Sequence, residues 1–353
     1  MDKSNLIQFL TNAALFSAAI FIPVMAQELG ASPFAIGAIL AAYNLAFFAA
    51  NYLFGVLADR VCLRRMIQFG LLAAAVIFLL QLCAHDLSGL ALVRSLAGFA
   101  AGTFPAALAV YAYQARAGKM GQFAAYTSLG WGFGAVAAGV IGSYNLIFGL
   151  SAAMLLIAFL ASLSLPEICQ EERAPFFPWR LVRKNLRVYL PYFLRAVGAQ
   201  TSWSIFPLYL IFTGADKLLV GLTYFINLGA QFLLMQRVER VHNLFLINIG
   251  LLASVLTFML YALFPHIGVV MVVQVLLALA FSTLQVGAQQ ELLRNNREKA
   301  TVIGLLNSIS NFTAVIGPFL AGAILNQWDF AAVMWFSAVV SFAGLVAFTS
   351  VLE

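Results

Sequence analysis

Long apolar runs separated by short polar breaks cover this 353-residue chain almost from end to end. Twelve runs stand out, at 6–27, 34–58, 66–84, 88–113, 120–141, 144–165, 189–212, 217–236, 244–264, 267–290, 301–325 and 330–352. The run at 120–141 is the least even, because glycines interrupt it. As a helix, about 20 apolar residues cross ~30 Å of hydrocarbon. A chain in lipid must also satisfy its backbone polar groups internally. The pattern therefore predicts an all-α membrane protein with twelve transmembrane helices in two pseudo-symmetric six-helix bundles. The expected organisation is an N-terminal bundle over 1–165, a cytoplasmic linker with an interfacial helix over 166–188, and a C-terminal bundle over 189–353.

The two halves overlay at a shift of 180 residues, the kind of self-similarity that marks a repeat. Asp59-Arg60 then meets Glu239-Arg240, Lys119 meets Lys299, Asn51 meets Gln231, Ser128 meets Ser308, Gly142 meets Gly322 and Arg94 meets Gln274. Pseudo-symmetric halves around a shared centre suit alternating access. Gly98, Gly102, Gly130, Gly132, Gly134, Gly139 and Gly142 favour close helix contact, and Gly317-Pro318 predicts a bend in the eleventh run.

Composition supports the membrane reading: 63% of residues are hydrophobic and 9% charged, with a mean hydropathy of +0.96. The charges alternate between breaks. Arg60, Arg64 and Arg65, then Arg116 and Lys119, then Arg173, Arg180, Arg183, Lys184 and Arg187, then Arg237 and Arg240, then Arg294, Arg297 and Lys299 fall in every second break. The others hold Glu28, His85, Asp86, Asp216, Lys217, His266 and Asp329. The positive-inside rule makes the first set cytoplasmic, which places both termini in the cytoplasm of a multi-pass protein of the cell (plasma) membrane. In the linker, Trp179, Val182 and Leu186 share a helical face opposite the basic residues, the pattern of a helix lying on the inner leaflet.

The net charge of +6 is spread over short loops, where it faces the lipid bilayer rather than nucleic acid. Cys62, Cys83 and Cys169 fit no metal or redox spacing and are expected to be structural bystanders. No Ser-His pairing, zinc pattern, paired intramembrane carboxylates or phosphate loop appears, so an enzyme, a metal and other cofactors are not expected.

Arg94 and Arg195 are the charges well inside the runs, and each costs at least ~2.5–3.5 kcal/mol at mid-membrane. No carboxylate lies near the middle of any run, so the pair is expected to give a cavity positive potential. Asn12, Asn44, Tyr43, Gln200, Thr201, Ser204, Tyr224, Asn227, Gln274, Gln285, Asn307 and Asn311 complete the expected substrate cavity, with Phe206, Trp203 and Trp131 as an aromatic wall. Each polar residue taken singly is as well explained by a helix–helix hydrogen bond. Glu28 is the candidate for proton coupling, through the effect of burial on its carboxyl.

After the second run the chain reads Gly55-Val-Leu57-Ala-Asp59-Arg60-Val-Cys62-Leu63-Arg64-Arg65. This resembles the signature loop of the major facilitator superfamily. Gly55, Leu57, Asp59, Arg60 and Arg64 match, while Cys62 and Leu63 depart. The resemblance implies a gating network of Asp59, Arg60 and Arg64, with Glu239 and Arg240 as their repeat counterparts. Arg94-Ser-Leu-Ala97-Gly98 is similar to a motif of the drug–proton antiporter branch, with Ala97 in place of glutamine. The leading expectation is a monomeric secondary transporter that exports amphipathic compounds; proton antiport through Glu28, uniport and anion exchange are all open as the mode of coupling. An organic-anion transporter and a non-transporting membrane sensor are the alternatives.

Overall fold

The computed structural model of the chain describes residues 3–58, 61–115, 121–168, 179–238, 241–296 and 299–350. Its elements in the first part of the chain are α1 (Lys3–Ile20), α2 (Ile22–Glu28), α3 (Pro33–Ala58), α4 (Leu63–Leu80), a 3-10 turn (Gln81–Cys83), α5 (Leu87–Gly102), α6 (Pro105–Ala115), α7 (Gly121–Ile141) and α8 (Tyr144–Ser162). There follow α9 (Trp179–Lys184), α10 (Leu186–Ser204), α11 (Phe206–Phe212), α12 (Lys217–Val238), α13 (Asn243–Leu263), α14 (Ile267–Asn295), α15 (Lys299–Gln327) and α16 (Phe330–Ser350). Among the described residues, ten helical segments are long and apolar enough to cross a membrane. The runs expected at 120–141 and 189–212 are helical but outside that set. In α7 the apolar part narrows to Tyr126–Ile141, and α10, which begins the other run, carries Arg187, Arg195 and the polar stretch Gln200-Thr201-Ser202.

Proline explains two of the breaks. Pro23 and Pro207 lie in the first turns of α2 and α11, after the non-helical residues Phe21 and Ile205. A proline has no N–H to give and its ring crowds the carbonyl four residues back, so the ladder is interrupted there. Gly30 and Gly214 follow these short helices at φ 84° and 96°, a left-handed conformation that suits glycine. Acids start α5, α12 and α16. The Oδ1 atoms of Asp86, Asp216 and Asp329 accept from the backbone N–H groups of Gly89, Leu219 and Ala332 at 2.7, 2.7 and 2.9 Å. These are N-terminal caps, which satisfy donors that a helix leaves open.

The chain forms two compact units. Unit 1 holds residues Met1–Ala31, Ile39–Ala174 and Asp216–Phe225; unit 2 holds Ser32–Ala38, Pro175–Ala215 and Ile226–Glu353. Thus α3 and α12 each begin in one unit and end in the other. In unit 1 the start of α12 packs on α7 through Gly221 and Gly139, and Lys217 Nζ donates to the Gly142 carbonyl at 3.0 Å. In unit 2 the start of α3 packs on α15 through Gly37 and Gly322.

The packing repeats. Ser17 and Ser151 join α1 to α8 at 2.9 Å, and Ser202 and Ser337 join α10 to α16 at 2.7 Å. Gly70 of α4 lies against Phe104, as Gly250 of α13 lies against Leu284. The expected constant shift of 180 residues holds for this last pair but not throughout. Gly30 and Gly214 are 184 apart, and Ser151 and Ser337 are 186 apart. Part of the drift lies in α3, which has 26 residues against 22 in α12.

At the basic end of unit 1, α4 is tied to the end of α8. Leu63 N–H donates to the Ile168 carbonyl at 2.8 Å, Arg64 Nη2 to the Leu163 carbonyl at 2.5 Å, and Gln68 Nε2 to the Ser162 carbonyl at 3.2 Å. Arg65 and Glu167 add an exposed ion pair at 3.1 Å, which contributes little. Cys62 is disulfide-bonded, so the expectation that every cysteine is a bystander is corrected for that residue; Cys83 is a free, exposed thiol. Cys169 lies outside the described residues.

Candidate substrate site

Arg94 lies on α5, two turns from its start. One turn further on, Gly98 brings α5 against the backbone of α3 at Tyr43. This close approach sets the Tyr43 ring 4.1 Å from the guanidinium carbon. Arg94 Nη1 donates to Gln81 Oε1 at 3.0 Å, while Nε is buried without a partner. The residue is 1% exposed. A desolvated cation on an aromatic face is worth ~2 kcal/mol.

Three other expected cavity residues belong to unit 1. Asn12 and Asn44 are half-buried and donate back to the carbonyls of Gln8 and Leu40 in their own helices, at 2.8 and 3.0 Å. Tyr224 is buried and meets the Phe16 ring edge-on at 5.5 Å.

Unit 2 holds two polar groups of residues. In the first, Asn227 Nδ2 donates to the Gln274 carbonyl at 3.1 Å and Gln231 Nε2 donates to Asn227 Oδ1 at 2.6 Å. Gln274 Nε2 donates to the Tyr261 hydroxyl at 3.0 Å. Asn227 and Gln274 are both fully buried, and Gln274 Oε1 has no partner. This group holds helices together. It is also the counterpart of the Arg94–Gln81 pair, since both partners match at the shift of 180 residues.

The second group surrounds Arg195 on α10. Its Nε donates to Ser254 Oγ of α13 at 2.9 Å, and the Phe281 ring lies 5.7 Å away. Tyr192, one turn earlier on the same face, donates its hydroxyl to Gln285 Oε1 at 2.5 Å and lies 3.1 Å from Ser310 Oγ. Among the described residues, no carboxylate pairs with Arg195, and its Nη atoms make no hydrogen bond. Sequence spacing could have flagged Tyr192, because positions i and i+3 share a helix face. Ser254 and Ser310 had no such local signal.

Gln200 is half-buried and packs against Gly317. Asn307 is exposed and Asn311 half-buried on α15. The aromatic wall is only partly as expected. Phe206 is 1% exposed and packs among Trp203, Tyr209 and Tyr261, so it is core. Glu28 is exposed at the end of α2, and the burial expected to act on it is absent. Asp59, Arg60, Glu239 and Arg240 lie outside the described residues. Of the expected gating residues, Arg64 is described, and it is held by the end of α8.

Among curated proteins, none matches the chain. Among solved structures, the nucleoside transporter NupG is 16% identical, with 99% of this chain and 98% of that one covered and a TM-score of 0.81. A bacterial homologue of the human lysosomal transporter Spinster, inward-facing and unoccupied, is 14% identical over 99% and 94%, with a TM-score of 0.74. The human organic anion transporter TETRAN is 16% identical over 98% of both chains, with a TM-score of 0.72. Likeness at these identities establishes the fold. The sequence profile of the Major Facilitator Superfamily matches residues 5–296; the chain belongs to that superfamily.

Proposed function

We propose that the chain is a secondary transporter that moves a small solute carrying an anionic group by alternating access, with Arg195 as the recognition charge. One observation carries this reading: Arg195 is buried with its Nε held by Ser254, its Nη donors unused and no carboxylate partner among the described residues. A solute anion can take up these unused Nη donors. Arginine suits the role because its planar fork matches carboxylate and phosphate groups. The Tyr192–Gln285–Ser310 group supplies neutral hydrogen-bonding chemistry on the same unit. Of the neighbours in the fold, the one named for an organic anion agrees with this reading, and the one named for nucleosides does not call for a charge.

Export of amphipathic compounds has less support than the sequence suggested, because Arg94 and Phe206 are committed to packing. The proposal gives no role to Glu28. It places both termini in the cytoplasm, from the basic breaks, and takes the monomer as the working unit. The test is uptake of carboxylate and phosphate-ester solutes, and of uncharged analogues, into liposomes holding the purified protein. Saturable uptake of an anionic solute that Arg195→Gln abolishes supports the reading. Transport of neutral amphipathic compounds alone, indifferent to Arg195→Gln, or no flux of any solute, ends it.

A further inference from the structure

Arg187 is a second cation without an anion, on the second residue of α10 at the basic end of unit 2. Its Nε and Nη2 atoms are both buried with no hydrogen-bond partner. Among the described residues it makes no ion pair, and its guanidinium carbon lies 5.8 Å from the Phe348 ring. Nε–H and the adjoining Nη2–H lie side by side along one edge of a guanidinium, the edge that grips two oxygens of a phosphate. Arg187 as a whole is half-buried, so a small side-chain shift opens this unmatched edge to a ligand oxygen pair.

The surroundings indicate where that ligand comes from. Asn185 and Asn296 exchange hydrogen bonds at 3.0 and 2.8 Å, and Lys184 Nζ donates to the Asn295 carbonyl at 2.8 Å. These bonds fix α9 against the end of α14. Leu181 packs into the core cluster that contains Tyr189 and Phe348, while Trp179, Arg180 and Arg183 stay exposed. Along α10, Leu186 and Leu190 are exposed apolar positions one turn apart. The segment from Trp179 to Arg187 holds four cations and no acid. Basic groups, an exposed tryptophan and an apolar helix face in sequence match a headgroup, an interface and an acyl chain.

We propose that Arg187 seats the phosphate of an anionic phospholipid headgroup, with α9 as a basic shelf and Leu186 and Leu190 beside the acyl chain. The site is separate from the solute site and stands or falls without it. The test is native mass spectrometry of the full chain released from nanodiscs of phosphatidylglycerol or of phosphatidylcholine with matched acyl chains. Retention of phosphatidylglycerol should exceed that of phosphatidylcholine by about tenfold. Arg187→Gln should remove the difference and Arg187→Lys should keep part of it, since a lysine offers charge without the fork. Millimolar inorganic phosphate should not displace the lipid. As a check on folding, phosphatidylglycerol should raise the melting temperature of the unmodified chain and not of Arg187→Gln, with the two equal in phosphatidylcholine. Equal retention of both lipids overturns the proposal, as does an Arg187→Gln protein that still selects phosphatidylglycerol. Displacement by phosphate also overturns it, by making the site one for a free anion.

Discussion

The same hairpin occurs in both units, and its chemistry differs. In unit 1, Arg94 of α5 reaches Gln81, 13 positions earlier; in unit 2, Gln274 of α14 reaches Tyr261, also 13 positions earlier, and both bonds are 3.0 Å long. One copy therefore carries a cation where the other carries a neutral amide. The unit with the neutral amide instead places its cation on α10, where Arg195 keeps unused donors. A buried charge is thus a poor guide to function on its own. What matters is whether its neighbours already consume it.

The sharpest way to break this comparison is to neutralise each arginine in turn. Arg195→Gln should lower anion uptake roughly 10- to 150-fold, the factor for losing a charged hydrogen bond of about 1.5–3 kcal/mol, with little change in melting temperature. Flux and thermal stability measured on the same preparation check both halves of that statement. The repeated glycines come next. A methyl on Gly250 would meet the Leu284 nitrogen at 2.6 Å and the Ala280 carbonyl at 2.9 Å, whereas one on Gly70 would first meet the Thr103 hydroxyl at 2.5 Å. A hydroxyl can rotate away and a backbone cannot. Gly250→Ala should therefore destabilise more than Gly70→Ala, within the ~1–3 kcal/mol of overpacking, as read by thermal melting in detergent.

Arg94→Gln gives unit 1 the amide that unit 2 already has. It should cost up to about 2 kcal/mol of stability through the lost cation–π contact and leave anion uptake per folded molecule unchanged. Loss of uptake with an unaltered melting temperature would move Arg94 into the solute site. The smallest effects belong to the serine pairs. Double-mutant cycles to alanine on Ser17/Ser151 and on Ser202/Ser337 should each give a coupling of about 0.6 kcal/mol, typical of hydrogen bonds between membrane helices. Clearly unequal couplings would show that the two copies hold their helices by different means.

The helical runs were legible because hydrocarbon imposes both length and composition, and a one-dimensional pattern records both. The repeat was legible in part, through charged breaks and Arg94 over Gln274. The acids of the alternate breaks were read as a topology signal, yet Asp86, Asp216 and Asp329 cap helices; capping and topology ask for the same residue at the same place. The stacking of Arg94 on Tyr43 was not legible. It depends on Gly98 admitting the α3 backbone, a contact between segments some 50 residues apart. Nor was the core position of Phe206, since spacing alone does not separate a wall from an interior.

The unequal lengths of α3 and α12 have a geometric meaning. Twenty-six residues against 22 is a step of four, little more than one 3.6-residue turn. Removing such a step rotates everything beyond it by only about 40°, so a helix can be shortened at one end and still show its neighbours the same stripe. A step of two would turn that stripe to the far side. Duplicated membrane helices can therefore differ in span length most cheaply by whole turns, and α3 and α12 differ by about that increment.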